Sequence, residues 1–249
     1  MFSCEAEGLH RLRYQLRESQ CTIITDKLEA LEAATSAIRH NRTELERYIQ
    51  DSPVFQMALE PIEVAEGPAA VMLMAEASRR AGVGPMAAVA GVLADLAVER
   101  MIRAGAEVAV VENGGEAYFV SDRPMDIAIK AGDTPLSKKV GFRLEEFPVG
   151  VATSSGLFSH ALSFGEAEAV TIFADNAGIA DAAATAVANK VRGDDEVRTV
   201  EEAVELGLTI EGVRGVFILY KRHVGLGGEV PKIIGVNPED EENITEEAP

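Results

Sequence analysis

The sequence predicts an α+β fold, on three observations. Apolar residues recur at helical spacing in neighbouring segments, and strand-like runs gather between those clusters instead of alternating strictly with them. A 47% hydrophobic content over 249 residues supplies one large core, or two small ones sharing an interface. Leu12 to Thr25 ends in the β-branched run Cys21-Thr-Ile-Ile-Thr25 and reads as a strand or one limb of a hairpin. Asp26 and Glu29 have capping-box spacing, and Leu28, Leu31, Ile38, Leu45 and Ile49 then recur near the helical period. A long helix is therefore expected from about Lys27 to Gln50, stopped by Asp51-Ser-Pro53.

A second helix is expected from Pro68 to about Arg80 with Gly82 beyond it, and a third from near Pro85 to before Gly105. Glu107 to Glu112 reads as a buried strand, and Asn113-Gly-Gly115 as a tight break at its end. Further strands are expected at Ala117–Val120, Asp126–Lys130, a long Val140–Val151 and Ala169–Ala174. A helix from about Gly178 to Lys190 follows; Thr199 with Glu202 then caps a short helix to Leu206, and Val213–Val224 is a final long strand. The strand, glycine turn and helix pattern recurs around Asn113–Gly115 and Thr153–Gly156, which allows two pseudo-equivalent halves closing on one cleft. Residues 1–236 are read as one domain and 237–249 as an acidic disordered tail.

The net charge is −18, and the body keeps −12 once the six acids from Glu239 to Glu247 are set aside. Such an excess disfavours nucleic acid and anionic membranes as partners. Cys4 and Cys21 lack CxxC spacing and are too few for a disulfide scaffold. No secretory leader is read at Met-Phe-Ser-Cys-Glu, and no run is apolar enough for a membrane span, so a cytoplasmic location is expected. A homodimer is left open.

The functional signal lies in two stretches. Thr153, Ser154, Ser155 and Gly156 form a hydroxyl-rich loop, and Asn113, Gly114 and Gly115 a glycine turn, whose backbone N–H groups can converge on a phosphate without Cβ obstruction. Asp181 and Thr185 stand four apart in an alanine-rich run, which places a carboxylate and a hydroxyl on one helix face. Two hard oxygens there suit Mg²⁺ or Ca²⁺. Each element also has a plainer reading: a double glycine is a turn, Asp181 a solvated acid, and His160, which stands among serines and apolar residues, a packing residue. Ser154, His160 and Asp175 lack the G-x-S-x-G elbow of a hydrolase triad. Gly225-Leu-Gly-Gly228 is a weak phosphate-loop match that reads as a turn, and Arg39, Arg42 and Arg47 as a solvated face with acid partners.

Val108-Ala-Val-Val-Glu-Asn-Gly-Gly-Glu116, Val151-Ala-Thr-Ser-Ser-Gly156 and Ala180-Asp-Ala-Ala-Ala-Thr-Ala186 resemble the GGD, ATSG and AD-three-residues-T motifs of the ApbE family, the FAD:protein FMN transferases. With Gly84-Pro-Met-Ala-Ala-Val-Ala-Gly91 and His160-Ala-Leu-Ser-Phe-Gly165 added, the chain is similar to an uncharacterised family of ApbE-like proteins common in methanogenic archaea, over about Leu12 to Val224. The resemblance implies two related, T-fold-like α+β subdomains around a central cleft that takes a small-molecule nucleotide, FAD or FMN. It further implies a divalent metal held by Asp181, Thr185 and a main-chain carbonyl near Val89, with His160 as a proton carrier while a hydroxyl attacks the FMN phosphorus and AMP departs. Where the transferases read Asp-Leu-Gly-Gly-Ile-Ala-Lys-Gly, this chain keeps only the last glycine and lacks the Asp and the Lys. FMN transfer and FAD pyrophosphatase activity are the enzymatic readings. The alternatives are an accessory protein of sulfur assimilation that uses a cysteine thiol, and a catalytically silent binding protein.

Overall fold

A computed structural model describes residues 2–3, 8–129, 140–154 and 165–236. In chain order the strands are β1 (Phe2–Ser3), β2 (His10–Leu16), β3 (Ser19–Thr25), β4 (Ala109–Asn113), β5 (Glu116–Val120), β6 (Met125–Ala128), β7 (Val140–Leu144), β8 (Val149–Ser154), β9 (Ala169–Ala174), β10 (Val213–Tyr220), β11 (His223–Gly228) and β12 (Lys232–Gly235). The α-helices are α1 (Leu28–Asp51), α2 (Pro53–Met57), α3 (Ala69–Ala81), α4 (Val89–Arg103), α5 (Ala177–Lys190) and α6 (Glu196–Thr209), with a 3₁₀ turn over Pro85–Ala88 leading into α4. No single helix among the described residues is long and apolar enough to cross a membrane.

The frame is one antiparallel sheet of eight strands in the order β11-β10-β9-β8-β5-β4-β3-β2. Its two halves each contribute a hairpin, helices and a second hairpin, and they join where Ala117 to Phe119 of β5 pairs Val151 to Val149 of β8. One face packs on α1, α4, α5 and α6, through Ile23, Val111, Ile172, Val216 and Ile218. The other packs on a small sheet, β1-β6-β7-β12, where Phe142 meets Phe173 and Phe217 edge to face at ring distances of 4.9 and 5.3 Å. Sandwiching explains β9: all six of its residues are buried, because neither face meets water. The fold is α+β, as the clustering of helices and strands implies.

Several boundaries differ from expectation for local reasons. Asp26 does not cap α1; Lys27 is the cap residue, and the Asp26 carboxylate accepts the Glu107 and Val108 N–H groups ahead of β4. Asp195, not Thr199, caps α6 by accepting the Arg198 N–H, so that helix starts earlier and runs to Thr209. The long strand expected at Val140–Val151 is two, β7 and β8, separated by Glu145–Pro148. Val213–Val224 is likewise broken by a turn at Lys221, whose φ is 54°, and Gly225–Gly228 belongs to strand β11 instead of forming a turn. On α1, Arg47 pairs with Glu44 on the solvated face, whereas Arg42 is largely buried, donating to the Ser19 hydroxyl and pairing with Glu46 and Glu18.

The backbones of α4 and α5 approach closely where they cross. A Cβ placed on Gly91 would lie 2.2 Å from the Ala177 carbonyl oxygen, and one on Gly178 would lie 2.6 Å from a Val92 methyl. Backbone cannot yield as a methyl can. Gly91→Ala is therefore expected to cost about 2–3 kcal/mol in urea unfolding and Gly178→Ala about 1 kcal/mol; the reverse order would contradict this packing.

Candidate functional site

The N-termini of α4 and α5 lie side by side, and each is closed by an acid from the other helix. Asp95, in the second turn of α4, accepts the Ala177 and Gly178 N–H groups at 2.8 and 2.9 Å. Asp181, in the second turn of α5, accepts the Gly91 N–H at 3.0 Å, and the Ala90 N–H also bonds this carboxylate. Asn176 completes the α5 cap by accepting the Ile179 N–H at 2.9 Å. Burial pushes both aspartates up to about 7, against the opposing pull of those N–H donors.

The Asn113–Glu116 turn closes over this junction. Gly114 and Gly115 have φ of 78° and 124°, a left-handed backbone that glycine adopts freely. Buried Asn113 donates its side-chain N–H to the Ala90 carbonyl at 3.2 Å, which ties the turn to the start of α4. Both glycine N–H groups already have protein acceptors: Gly114 donates to the Gln20 carbonyl at 3.2 Å and Gly115 to the Glu112 carboxylate at 2.9 Å. The turn thus presents carboxylates where the sequence pattern suggested free anion donors. Glu116 beside it is raised well above the usual carboxylate range by burial, then by Asp181 and Glu112.

The end of β8 abuts the same turn, since a Cβ on Gly115 would lie 4.0 Å from the Thr153 carbonyl. The Thr153 hydroxyl is 2.9 Å from that of Thr171, its cross-strand partner, and Ser154 ends the strand half-buried. Ser155, Gly156 and His160 lie outside the described residues, as do Cys4 and 237–249. Thr185 is half-buried one turn beyond Asp181, and Val89 opens α4. The start of α4, the Asn113–Glu116 turn, Thr153 and Asp181, from four separated segments, therefore meet in one place, with Thr185 one turn further along α5.

Sequence reasoning missed Asp95, Glu112 and Glu116. Glu112 and Glu116 flank the double glycine and were legible there as acids; Asp95 sits in an apolar helical stretch and becomes visible only through its partner helix. The charges acting on Asp181 and Glu116 are all acidic. Among the described residues no three His, Cys, Asp or Glu side chains are grouped to hold a metal by themselves. Any cation here would need hydroxyl or carbonyl oxygens as well. Cys21, in β3 opposite Asn113, is 3% exposed, and burial, with Glu112 adding to it, pushes its thiol up to about 12. Asp175 pairs with Arg214 at 2.7 Å, so it is committed to a structural ion pair.

A family model described as AbpE bacteria matches residues 3–209. The chain is 43% identical over 223 residues to a UPF0280 protein of Methanosarcina acetivorans, covering 88% of this chain and 87% of that one. It is 42% identical over 237 residues to a UPF0280 protein of Methanosphaerula palustris, covering 94% and 97%. Among solved structures, the apo flavinyl transferase ApbE of Pseudomonas stutzeri superposes with a TM-score of 0.59 at 15% identity, over 88% of this chain and 94% of that one. The ApbE protein of Thermotoga maritima gives 0.55 at 14%, over 89% and 97%. At such identities the likeness establishes the frame and leaves chemistry to the site. With relatives this similar along nearly their whole length, the chain belongs to the UPF0280 family of ApbE-like proteins.

Proposed function

We propose that this protein binds a flavin nucleotide between the start of α4, the Asn113–Glu116 turn and the second turn of α5, and that it does so only together with Mg²⁺. The observation that carries the reading is the convergence of those segments on a desolvated group of acids, in a frame shared with a flavinyl transferase. The donors fit a hard divalent cation: the Asp181 carboxylate, the Thr185 hydroxyl on the same helix face, and Glu116 nearby, with no soft ligand among them. Bound there, the metal would supply charge neutralisation for a pyrophosphate. The protein's own part is to hold Asp181 in place through the Gly91 N–H and to restrain the turn through Asn113.

The acids also decide what the site lacks. The chain lacks the Asp and Lys of the transferase motif, and among the described residues the charges acting on Asp181 and Glu116 are acidic, so we assign binding to the chain and not FMN transfer. One domain over 1–236 is part of the same proposal, and the single sheet running through both halves supports it. The thiol reading loses support at Cys21, which is buried and poorly ionised.

Three measurements test this proposal. An anaerobic FAD titration followed by flavin fluorescence should give micromolar binding with Mg²⁺, and a loss of about tenfold or more in Asp181→Asn; binding of equal strength without Mg²⁺ would refute the metal dependence. Asp95 and Asp181 rise from 3.8 to about 7, so the folded state binds more protons than the unfolded one between those values. Thermal stability should fall as pH rises from about 4 to about 7 and then level off, and added Mg²⁺ should restore it at pH 8 but not at pH 5. A melting temperature that climbs over that range would contradict the assignment of these acids. In a Cys4→Ser background, Cys21 should remain unreactive toward a disulfide reagent at pH 8 until the chain unfolds; rapid modification of native protein would revive the thiol reading.

A further inference from the structure

The two edges of the eight-stranded sheet are treated differently. β2 carries Arg11 and Arg13, charges of the kind that discourage another strand from pairing. β11, at the opposite edge, reads His-Val-Gly-Leu-Gly-Gly and has no lysine, arginine, proline or bulge to blunt it. Glu229 N–H donates to the Arg214 carbonyl at 2.7 Å, which places residue 229 on a bonded rung. The period of two then puts Gly227 and Gly225 on bonded rungs and turns the N–H and C=O of Val224 and Leu226 outward. Both side chains are 52% exposed.

Beside this edge runs a groove of about 370 Å³ between β11 and α6, lined by Val197, Val204, Glu201, Glu205, Val224 and Leu226 among others. Its floor is glycine by necessity, because a Cβ on Gly225 would lie 2.3 Å from Val200 and one on Gly227 2.4 Å from Val204. Glu202 pairs with Arg198, and Glu196 with Lys221 and His223. Among the described residues no cation is paired with Glu201 or Glu205, which stand exposed above the groove.

We propose that β11 and α6 dock an extended segment of a partner polypeptide in which basic and apolar residues alternate. Its main chain bonds Val224 and Leu226. Its apolar side chains lie on the face that those two residues expose, and its basic side chains lie on the other face, with their stems along Val197 and Val204 and their heads at Glu201 and Glu205. Charge selects this occupant. The acidic 237–249 segment would bring like charges to Glu201 and Glu205, and two copies joined β11 to β11 would set the same glutamates of each copy on one side of the joined sheet.

The test is fluorescence anisotropy on the full chain with two labelled heptapeptides of one composition, Lys-Val-Lys-Val-Lys-Val-Lys and Lys-Lys-Lys-Lys-Val-Val-Val. The alternating peptide should bind about tenfold more tightly than the block peptide. Leu226→Pro removes an outward N–H and no bond to β10, and it should weaken that binding about tenfold. The surface pair Glu201→Lys with Glu205→Lys should do the same without touching the strand. Equal binding of the two peptides, or unchanged binding in both variants, overturns the proposal. So does a wild-type dimer in light scattering that Leu226→Pro converts to monomer, which would give the edge to a second copy.

Discussion

The exchange of carboxylates between α4 and α5 is the constraint on which the rest of the site depends. Each helix begins with unpaired N–H groups and a partial positive charge, and each receives an acid from the second turn of the other. The exchange works only if the two backbones nearly touch, which is why Gly91 and Gly178 stand at the crossing. Asp95 and Asp181 are thereby drawn out of water, and their ionisation is resisted by burial while favoured by the donors. A change at either crossing glycine would move both caps, so packing and electrostatics are coupled at this junction.

From there the arrangement extends outward by hydrogen bonds. Asn113 binds the Ala90 carbonyl, and so the β4–β5 turn is referenced to the start of α4 and not only to its own hairpin. Glu112 is spent on the Gly115 N–H, a local bond that shapes the turn. Glu116 is left half-buried, its carboxyl raised by burial and by the charge of Asp181. A bare phosphate approaching this surface would meet two acids and two glycine N–H groups already engaged. On the proposed reading a cation has to come first, or with the nucleotide, because it alone reverses the local sign.

Much of the frame was legible in the sequence. The period of Leu28 to Ile49 located α1 to within a residue or two, and Pro68 with Gly82 bracketed α3, whose C-cap residue Gly82 has a φ of 69°. The boundaries that failed are those where a polar side chain serves a distant element. Asp26 has the spacing of a cap yet braces the entry to β4, a bond to residues 81 and 82 positions away. The small sheet was legible only in part, because β1 and β12 are short and gain their meaning from pairing with β6 and β7. At the site, Asp181, Asn113 and the double glycine stood out by motif and by residue type. The commitment of their bonding groups to one another could not be read, since it is set by tertiary approach.

That commitment also separates frame from chemistry. A sequence that drops the Asp and Lys of the transferase motif but keeps Gly91 and Asp181 has kept the parts that hold α4 against α5. Retention of Asp181 is therefore weaker evidence of a metal than its motif implies, since a helix cap would preserve the same carboxylate. The two roles make different demands on the neighbourhood. Capping α4 requires only N–H donors, and those are present; it gives no reason to keep a second acid, Glu116, half-buried within reach of the first one's charge, at a cost that repulsion increases. A cation relieves that cost and a cap does not. The acids gathered around Asp181, with Asp95 acting on it and Asp181 in turn on Glu116, favour a ligand in this cleft more than Asp181 does by itself.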